Sequence, residues 1–154
     1  MTILEPGSPA PAIDLATDTG GRFRLADHAG RSVLIYFYPD SDTPACNAVN
    51  FGFSAHTEAL GARGITVVGI APDSVETLAA FRAKYTLLPI LASDPDRAVI
   101  MAYGAWGEKQ NYGRTYTGLI RTTVLVGPDG RIVHMWRNIR AKGHADRVYK
   151  ALTE

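Results

Sequence analysis

A second cysteine is missing. Cys46 stands alone among 154 residues, which excludes an intramolecular disulfide, a CxxC redox pair and any multi-thiolate metal site. An excess of either charge is missing too: sixteen Lys and Arg face fifteen Asp and Glu, a formal net charge of +1. With no basic block or stripe, nucleic-acid binding by phosphate neutralisation has no electrostatic basis. No stretch approaches the ~20 consecutive apolar residues of a membrane span. The opening Met1-Thr2-Ile3-Leu4-Glu5-Pro6-Gly7-Ser8-Pro9 carries an acid where a secretory leader needs a basic segment, and Gly and Pro where it needs an unbroken apolar run. A cytoplasmic location is the expectation. Internal repeats, low-complexity tracts and Pro/Gly/Ser-rich linkers are absent as well, so a single domain over residues 1–154 is expected, a length that suits one core.

What is present is the composition of an ordinary globular chain, with 46% hydrophobic and 20% charged residues. Ala12 to Ala16 and Arg22 to Leu25 alternate around Asp18-Thr19-Gly20-Gly21, which predicts a small N-terminal β-hairpin. Ser32-Val33-Leu34-Ile35-Tyr36-Phe37-Tyr38 is a continuous apolar and aromatic run, as expected of a strand buried on both faces. It stops at Pro39, and after the loop to Asp42 a helix start is signalled by Thr43 as N-cap and Pro44 at the first helical position. Val49, Phe53 and Leu60 continue that helix, with Gly61 and Gly64 as its stop.

Ile65 to Ala71 predicts a second buried strand, and Pro72-Asp73-Ser74 opens a helix with Leu78, Phe81 and Tyr85 on one face. Ile90 to Ala92 is a third strand, followed by a short helix from Ala98 to Tyr103 behind Asp94-Pro95-Asp96. Arg121 to Gly127 and Arg131 to Trp136 flank Pro128-Asp129-Gly130 as a hairpin, and Ala145 to Leu152 is a closing helix. Strands alternating with helices before a terminal hairpin imply an α/β sandwich with a mixed sheet.

Cys46 falls in the first turn of the helix that follows the first buried strand. A free thiol has a pKa of about 8.5 and only its thiolate is a strong nucleophile, whereas unpaired N–H groups and the positive end of the helix dipole favour the anion. The exit from a strand is also where α/β proteins tend to place ligand sites. An unpaired cysteine is otherwise a small buried hydrophobe, so the surrounding residues decide between the two.

Those residues read Pro39-x-x-x-Thr43-x-x-Cys46 after an aromatic strand. Further along come Ala71-Pro72-Asp73-Ser74, Ser93-Asp94-Pro95-Asp96, Tyr103-Gly104-Ala105-Trp106-Gly107-Glu108-Lys109, Tyr112-Gly113-Arg114-Thr115-Tyr116-Thr117-Gly118, Arg121-Thr122-Thr123-Val124-Leu125-Val126 and Gly130-Arg131-Ile132-Val133. In this order, over nearly the whole chain, the series resembles the peroxiredoxins, specifically the peroxiredoxin Q or bacterioferritin-comigratory-protein branch.

The resemblance implies a thioredoxin-like fold and a peroxidase acting on hydrogen peroxide and organic hydroperoxides through a sulfenic acid. It implies Cys46 as the nucleophile, Thr43 as a hydroxyl partner of the peroxide, Pro39 as a shield of the sulfur, and Arg121 as a cation stabilising the thiolate and the departing oxygen. It implies no cofactor and no metal, and a monomer rather than a dimer joined through Cys46.

Three positions and one helical segment depart from the branch pattern. Where many relatives carry a resolving cysteine, five residues after the nucleophile, this chain has Phe51. The alternative location on the next helix, Ala79 through Tyr85, has none. An external thiol such as thioredoxin, glutaredoxin or glutathione must then reduce the sulfenic acid. The acid expected three residues after the nucleophile is Val49, and the preceding glycine is Ala45. A competing reading from another class is a thioredoxin-like redox sensor or binding module whose Cys46 is oxidised with little turnover.

Other chemistries fit poorly. A cysteine phosphatase needs an arginine six residues after its nucleophile, where Gly52 stands. His28, His56, His134 and His144 show neither metal-ligand spacing nor a mark of a catalytic base, and are expected at the surface or half buried. Trp106, Trp136, Tyr103, Tyr112 and Tyr116 are expected to anchor core and loops rather than to stack bases, with Trp106 to Lys109 forming a loop.

Overall fold

Aliphatic and aromatic side chains follow one another without a break from Val33 to Tyr38, and all of them are buried in the computed structural model, which describes residues 4–39, 41, 43–111 and 113–153. Asp40, Asp42 and Tyr112 lie outside the described residues. In chain order the elements are β1 (Asp14–Ala16), β2 (Arg22–Arg24), a 3₁₀ turn (Leu25–His28), β3 (Ser32–Phe37), α1 (Pro44–Ala62), β4 (Ile65–Ala71), α2 (Val75–Tyr85), β5 (Ile90–Ser93) and α3 (Ala98–Ala102). They continue with β6 (Trp106–Asn111), β7 (Arg114–Leu119), β8 (Thr122–Val126), β9 (Ile132–Arg137) and α4 (His144–Thr153).

The central sheet has the order β5-β4-β3-β8-β9. β3 runs parallel to β4 and antiparallel to β8, so the sheet is mixed, the thioredoxin-like arrangement expected. Side chains of β3 alternate between two cores. Val33, Ile35 and Phe37 pack with Ile13, Phe23, Ile100 and Tyr103, while Leu34 and Tyr36 pack with Phe53 of α1, Phe81 of α2 and Val148 of α4.

Two glycines permit close approaches on the second face. A Cβ on Gly69 would lie 2.6 Å from the Tyr36 ring, and one on Gly52 would lie 2.6 Å from Ala145 Cβ, so β4 and α4 reach their neighbours only because these side chains are absent. The N-terminal hairpin of β1 and β2 is present as predicted and is tied to α2 by Arg82, whose Nε donates to Asp18 Oδ2 and whose Nη1 and Nη2 reach the carbonyls of Leu87 and Pro89.

One element differs from the sequence reading. Trp106 to Lys109, expected as a loop, belongs to β6 and pairs antiparallel with β7 in a separate two-stranded sheet. Gly107, Glu108 and Lys109 carry no alternating apolar pattern, and the strand is defined by its pairing with residues 114–119 rather than by burial.

Candidate active site

β3 delivers the chain to the site and β8 closes it. Because the two are antiparallel, Thr122 at the start of β8 lies opposite Phe37 at the end of β3, which brings Arg121, just before β8, next to the segment leading into α1. There Arg121 Nη1 donates to Cys46 Sγ at 3.1 Å across a sequence separation of 75 residues. The carbonyl of Arg121 accepts from Ile139 N at 3.2 Å, which anchors its backbone to the segment after β9.

Cys46 is the third residue of α1 and is fully buried at 0% exposure. A buried thiol in apolar surroundings is ordinarily inert. Here a guanidinium points at the sulfur, so its surroundings are not wholly apolar.

Thr43 occupies the N-cap position with extended backbone (φ −112°, ψ 153°) and Pro44 follows at the head of the helix. The expected capping bond is not made: the Thr43 side chain accepts no helix N–H, while its carbonyl takes Asn47 N at 2.7 Å. The backbone is thus shaped for the helix start without the hydroxyl being used for it. Pro39 is half-buried just beyond Tyr38, and Ser41 N donates to Asp73 Oδ2 at 2.6 Å, fastening this loop to the end of β4.

Sequence reasoning missed the support beneath Cys46. Asn50, one turn further along α1 and fully buried, donates from Nδ2 to the Cys46 carbonyl at 2.9 Å, and its Oδ1 accepts from Tyr36 OH at 2.7 Å. Tyr36 in turn stacks on Phe53 with ring centroids 4.6 Å apart. The signal was a polar residue in the stripe formed by Cys46, Val49, Phe53 and Leu60, where burial demands a partner.

Phe51 and Val49 replace residues of the branch pattern with apolar side chains. Phe51 is 41% exposed and meets the Tyr85 ring edge-on, whereas Val49 is buried.

Three histidines lie at or near the surface: His56 pairs with Asp146 and stacks on Tyr149, His134 stacks on Trp136, and His28 meets Phe23. His144 overturns the expectation. It is 2% exposed, its Nε2 is hydrogen-bonded to Thr123 Oγ1 at 2.7 Å, and burial together with the nearby Arg147 charge lowers its pKa to about 4. Tyr103 is buried and donates to the Pro11 carbonyl, and Arg97 lies over the Trp106 ring, while Tyr112 and the side chain of Tyr116 lie outside the described residues.

Among the described residues no group of His, Cys, Asp and Glu could hold a metal ion, and no helix is long and apolar enough to cross a membrane.

The chain as a whole is similar to known proteins. Residues 6–135 match the AhpC/TSA family model. Rv2521 of Mycobacterium tuberculosis is 44% identical over 152 residues, covering 99% of this chain and 97% of its own length. Peroxiredoxin Bcp of Escherichia coli strain K12 is 36% identical over 154 residues, covering 100% of this chain and 99% of the relative. Among solved structures, a cysteine-to-serine mutant of Xanthomonas campestris peroxiredoxin Q superposes with a TM-score of 0.87 at 36% identity, over 97% of this chain and 96% of that one. A bacterioferritin comigratory protein of the same organism, studied for its alkyl peroxide reduction activity, superposes with a TM-score of 0.87 at 34% identity, over 99% and 97% of the two chains.

Proposed function

Since the chain belongs to the AhpC/TSA family and is a thiol-dependent peroxidase, we propose that Cys46 is its nucleophile and that Arg121, Thr43 and Pro39 complete the site. The observation that carries this assignment is the 3.1 Å bond from Arg121 Nη1 to Cys46 Sγ, which gives the lone sulfur a cationic partner inside the protein.

The Cys46 thiolate attacks the outer oxygen of hydrogen peroxide or an organic hydroperoxide. A sulfur–oxygen bond forms as the O–O bond breaks, the sulfur is oxidised to a sulfenic acid, and the departing oxygen takes up a proton to leave as water or an alcohol. Negative charge moves from sulfur to the leaving oxygen, and the Arg121 guanidinium, already aimed at the sulfur, stabilises it along the way. The Thr43 hydroxyl, not used by the helix, is the hydrogen-bond partner of the peroxide, and Pro39 keeps water from the sulfur.

The cycle then depends on an external thiol, because Phe51 occupies the place of a resolving cysteine. Attack by that thiol releases water and gives a mixed disulfide with Cys46, and a second thiol displaces Cys46 as a thiol again. Thioredoxin, glutaredoxin or glutathione supplies these electrons. The protein acts as a monomer of one domain over residues 1–154 and works in the cytoplasm.

Mixing the reduced protein with hydrogen peroxide or a bulky organic hydroperoxide in a stopped-flow instrument, with sulfenic acid trapped and mapped by mass spectrometry, tests the assignment. Oxidation at Cys46 and many turnovers with a thiol reductant are expected. One oxidation per chain without turnover would mark a sensor, and persistence of peroxidase activity in Cys46→Ser would refute the nucleophile.

A further inference from the structure

Cys46 and Arg121 reach each other from separate elements, and a site of this kind works only if its parts are held to within about half an ångström. Cys46 rides on α1, and Arg121 precedes β8. The structure places one side chain against both elements, and it belongs to neither.

That side chain is His144, the first residue of α4. Its Nε2 and Thr123 Oγ1 are 2.7 Å apart. Thr123, two residues beyond Arg121, lies opposite Tyr36 in the sheet and so projects toward the core that holds Cys46. On its other side the His144 ring meets Phe53 of α1 edge-on, with centroids 5.7 Å apart and planes at 82°. Phe53 stacks on Tyr36, whose hydroxyl bonds Asn50, which holds the carbonyl of Cys46. Tyr36 is also the β3 partner of Thr123. One buried ring therefore touches the strand that Arg121 leads into and the aromatic stack that supports the helix of Cys46.

Burial of this histidine is costly, and an apolar residue of the same shape would pack beside Phe53 without desolvating two ring nitrogens. Its lowered pKa keeps the ring neutral at neutral pH. The charged groups around it are Arg147 on its own helix and Arg140, which with Trp136 and Ile139 lines a cavity that the ring also borders. Both are cations, so the ring has no anionic partner among them, and Thr123 on β8 is its polar contact.

Resting on the assignment of Cys46 and Arg121 above, we propose that His144 is a positioning residue of the peroxidase site, joining β8 to α1 so that the Arg121 guanidinium meets the Cys46 sulfur.

Four variants in the full-length protein test this role: His144→Phe, His144→Gln, Thr123→Val and the double variant His144→Phe/Thr123→Val. Phe keeps the aromatic volume and deletes the bond, Gln returns a polar atom near the Nε2 position, and Val deletes only the threonine hydroxyl. Each is measured for the rate of sulfenic acid formation and for the pH profile of Cys46 alkylation by iodoacetamide, which reports the thiolate.

Loss of one buried hydrogen bond predicts about tenfold slower oxidation in His144→Phe and in Thr123→Val, with the alkylation profile displaced to the alkaline side. The double variant is no slower than either single one, because both remove the same bond, and His144→Gln recovers most of the rate. Should His144→Phe fail to fold, Thr123→Val interrogates the same bond from the strand. Folded variants that match the wild type in rate and alkylation profile, while Arg121→Ala is slow, would overturn the positioning role alone. A wild-type rate in Arg121→Ala would instead overturn the underlying assignment, and this inference with it.

Discussion

Lowering the pH should weaken the fold through His144, and the size of the effect follows from its burial. In the unfolded chain this imidazole takes up a proton near its ordinary value of 6.5, whereas in the folded protein burial and the Arg147 charge delay protonation until about 4. Between these values the unfolded state binds more protons, so stability falls as the pH falls. The contribution is complete above about 6.5 and is lost on the way down to about 4. Each pKa unit corresponds to about 1.4 kcal/mol, so the interval amounts to about 3 kcal/mol at most.

Urea denaturation of the wild type and of His144→Phe across this range measures it. Carboxylates approach the same window from below, Asp94 most of all because burial raises its pKa, but they are common to both proteins and cancel in the difference. The wild-type advantage over the variant should shrink by about 3 kcal/mol from neutral pH to pH 4. A difference that stays constant with pH would show that His144 titrates alike in both states and would refute the reasoning.

Other substitutions probe the site and its frame. Arg121→Ala should slow sulfenic acid formation by about 10²–10³-fold, the usual loss when one preorganised donor to a charged reaction centre is removed, and Arg121→Lys should recover part of it in the same stopped-flow assay. Asn50→Ala should leave Tyr36 OH without its acceptor and the Cys46 carbonyl without its side-chain donor, costing about 1–3 kcal/mol by denaturant titration and speeding amide hydrogen exchange in the first turn of α1. Arg82→Met should cost about 3–5 kcal/mol, because it leaves Asp18, whose side chain is 2% exposed, as an uncompensated buried charge. Unchanged stability in either of the last two would show that these buried contacts are dispensable.

Much of the scaffold was readable because local pattern and tertiary structure agree. The run from Val33 to Tyr38 could only be a doubly buried strand, and Pro44 after Thr43 placed the start of α1 at Pro44. Arg121 was a different matter. Its contact with Cys46 forms across antiparallel pairing of β3 with β8, 75 residues apart in sequence, and no local periodicity encodes such a meeting; only the family resemblance singled this arginine out. His144 escaped for a related reason. A histidine at a helix start looks like a surface residue until the sheet that covers it is known, and its partner Thr123 lies in a strand whose sequence advertises only burial. Asn50 was within reach, since it interrupts an apolar stripe one turn after Cys46. The β6–β7 hairpin was not, because Glu108 and Lys109 give no sign of the partner strand that orders them.

The burial of Cys46 separates what the site must do from how it is seen at rest. With 0% exposure the sulfur admits no molecule as large as water, yet under the proposed assignment peroxide and then a thiol must both reach it. A peroxide is little larger than water and needs only a small displacement of the covering residues, so the Arg121 contact can persist while oxidation occurs. A thiol carried by another protein cannot approach so closely unless the sulfur itself comes to the surface. Position 51 sharpens the point. Phe51 is exposed and rests against Tyr85, so the surface of α1 nearest the absent resolving sulfur is apolar and offers no internal electrons. The bonds that hold the first turn of α1 and the loop before it, from Asn50 Nδ2 to the Cys46 carbonyl and from Ser41 N to the Asp73 carboxylate, therefore pull against reduction while they favour oxidation. Fast attack on peroxide demands a rigid, water-poor pocket around the thiolate, and regeneration by an outside thiol demands that the same pocket open.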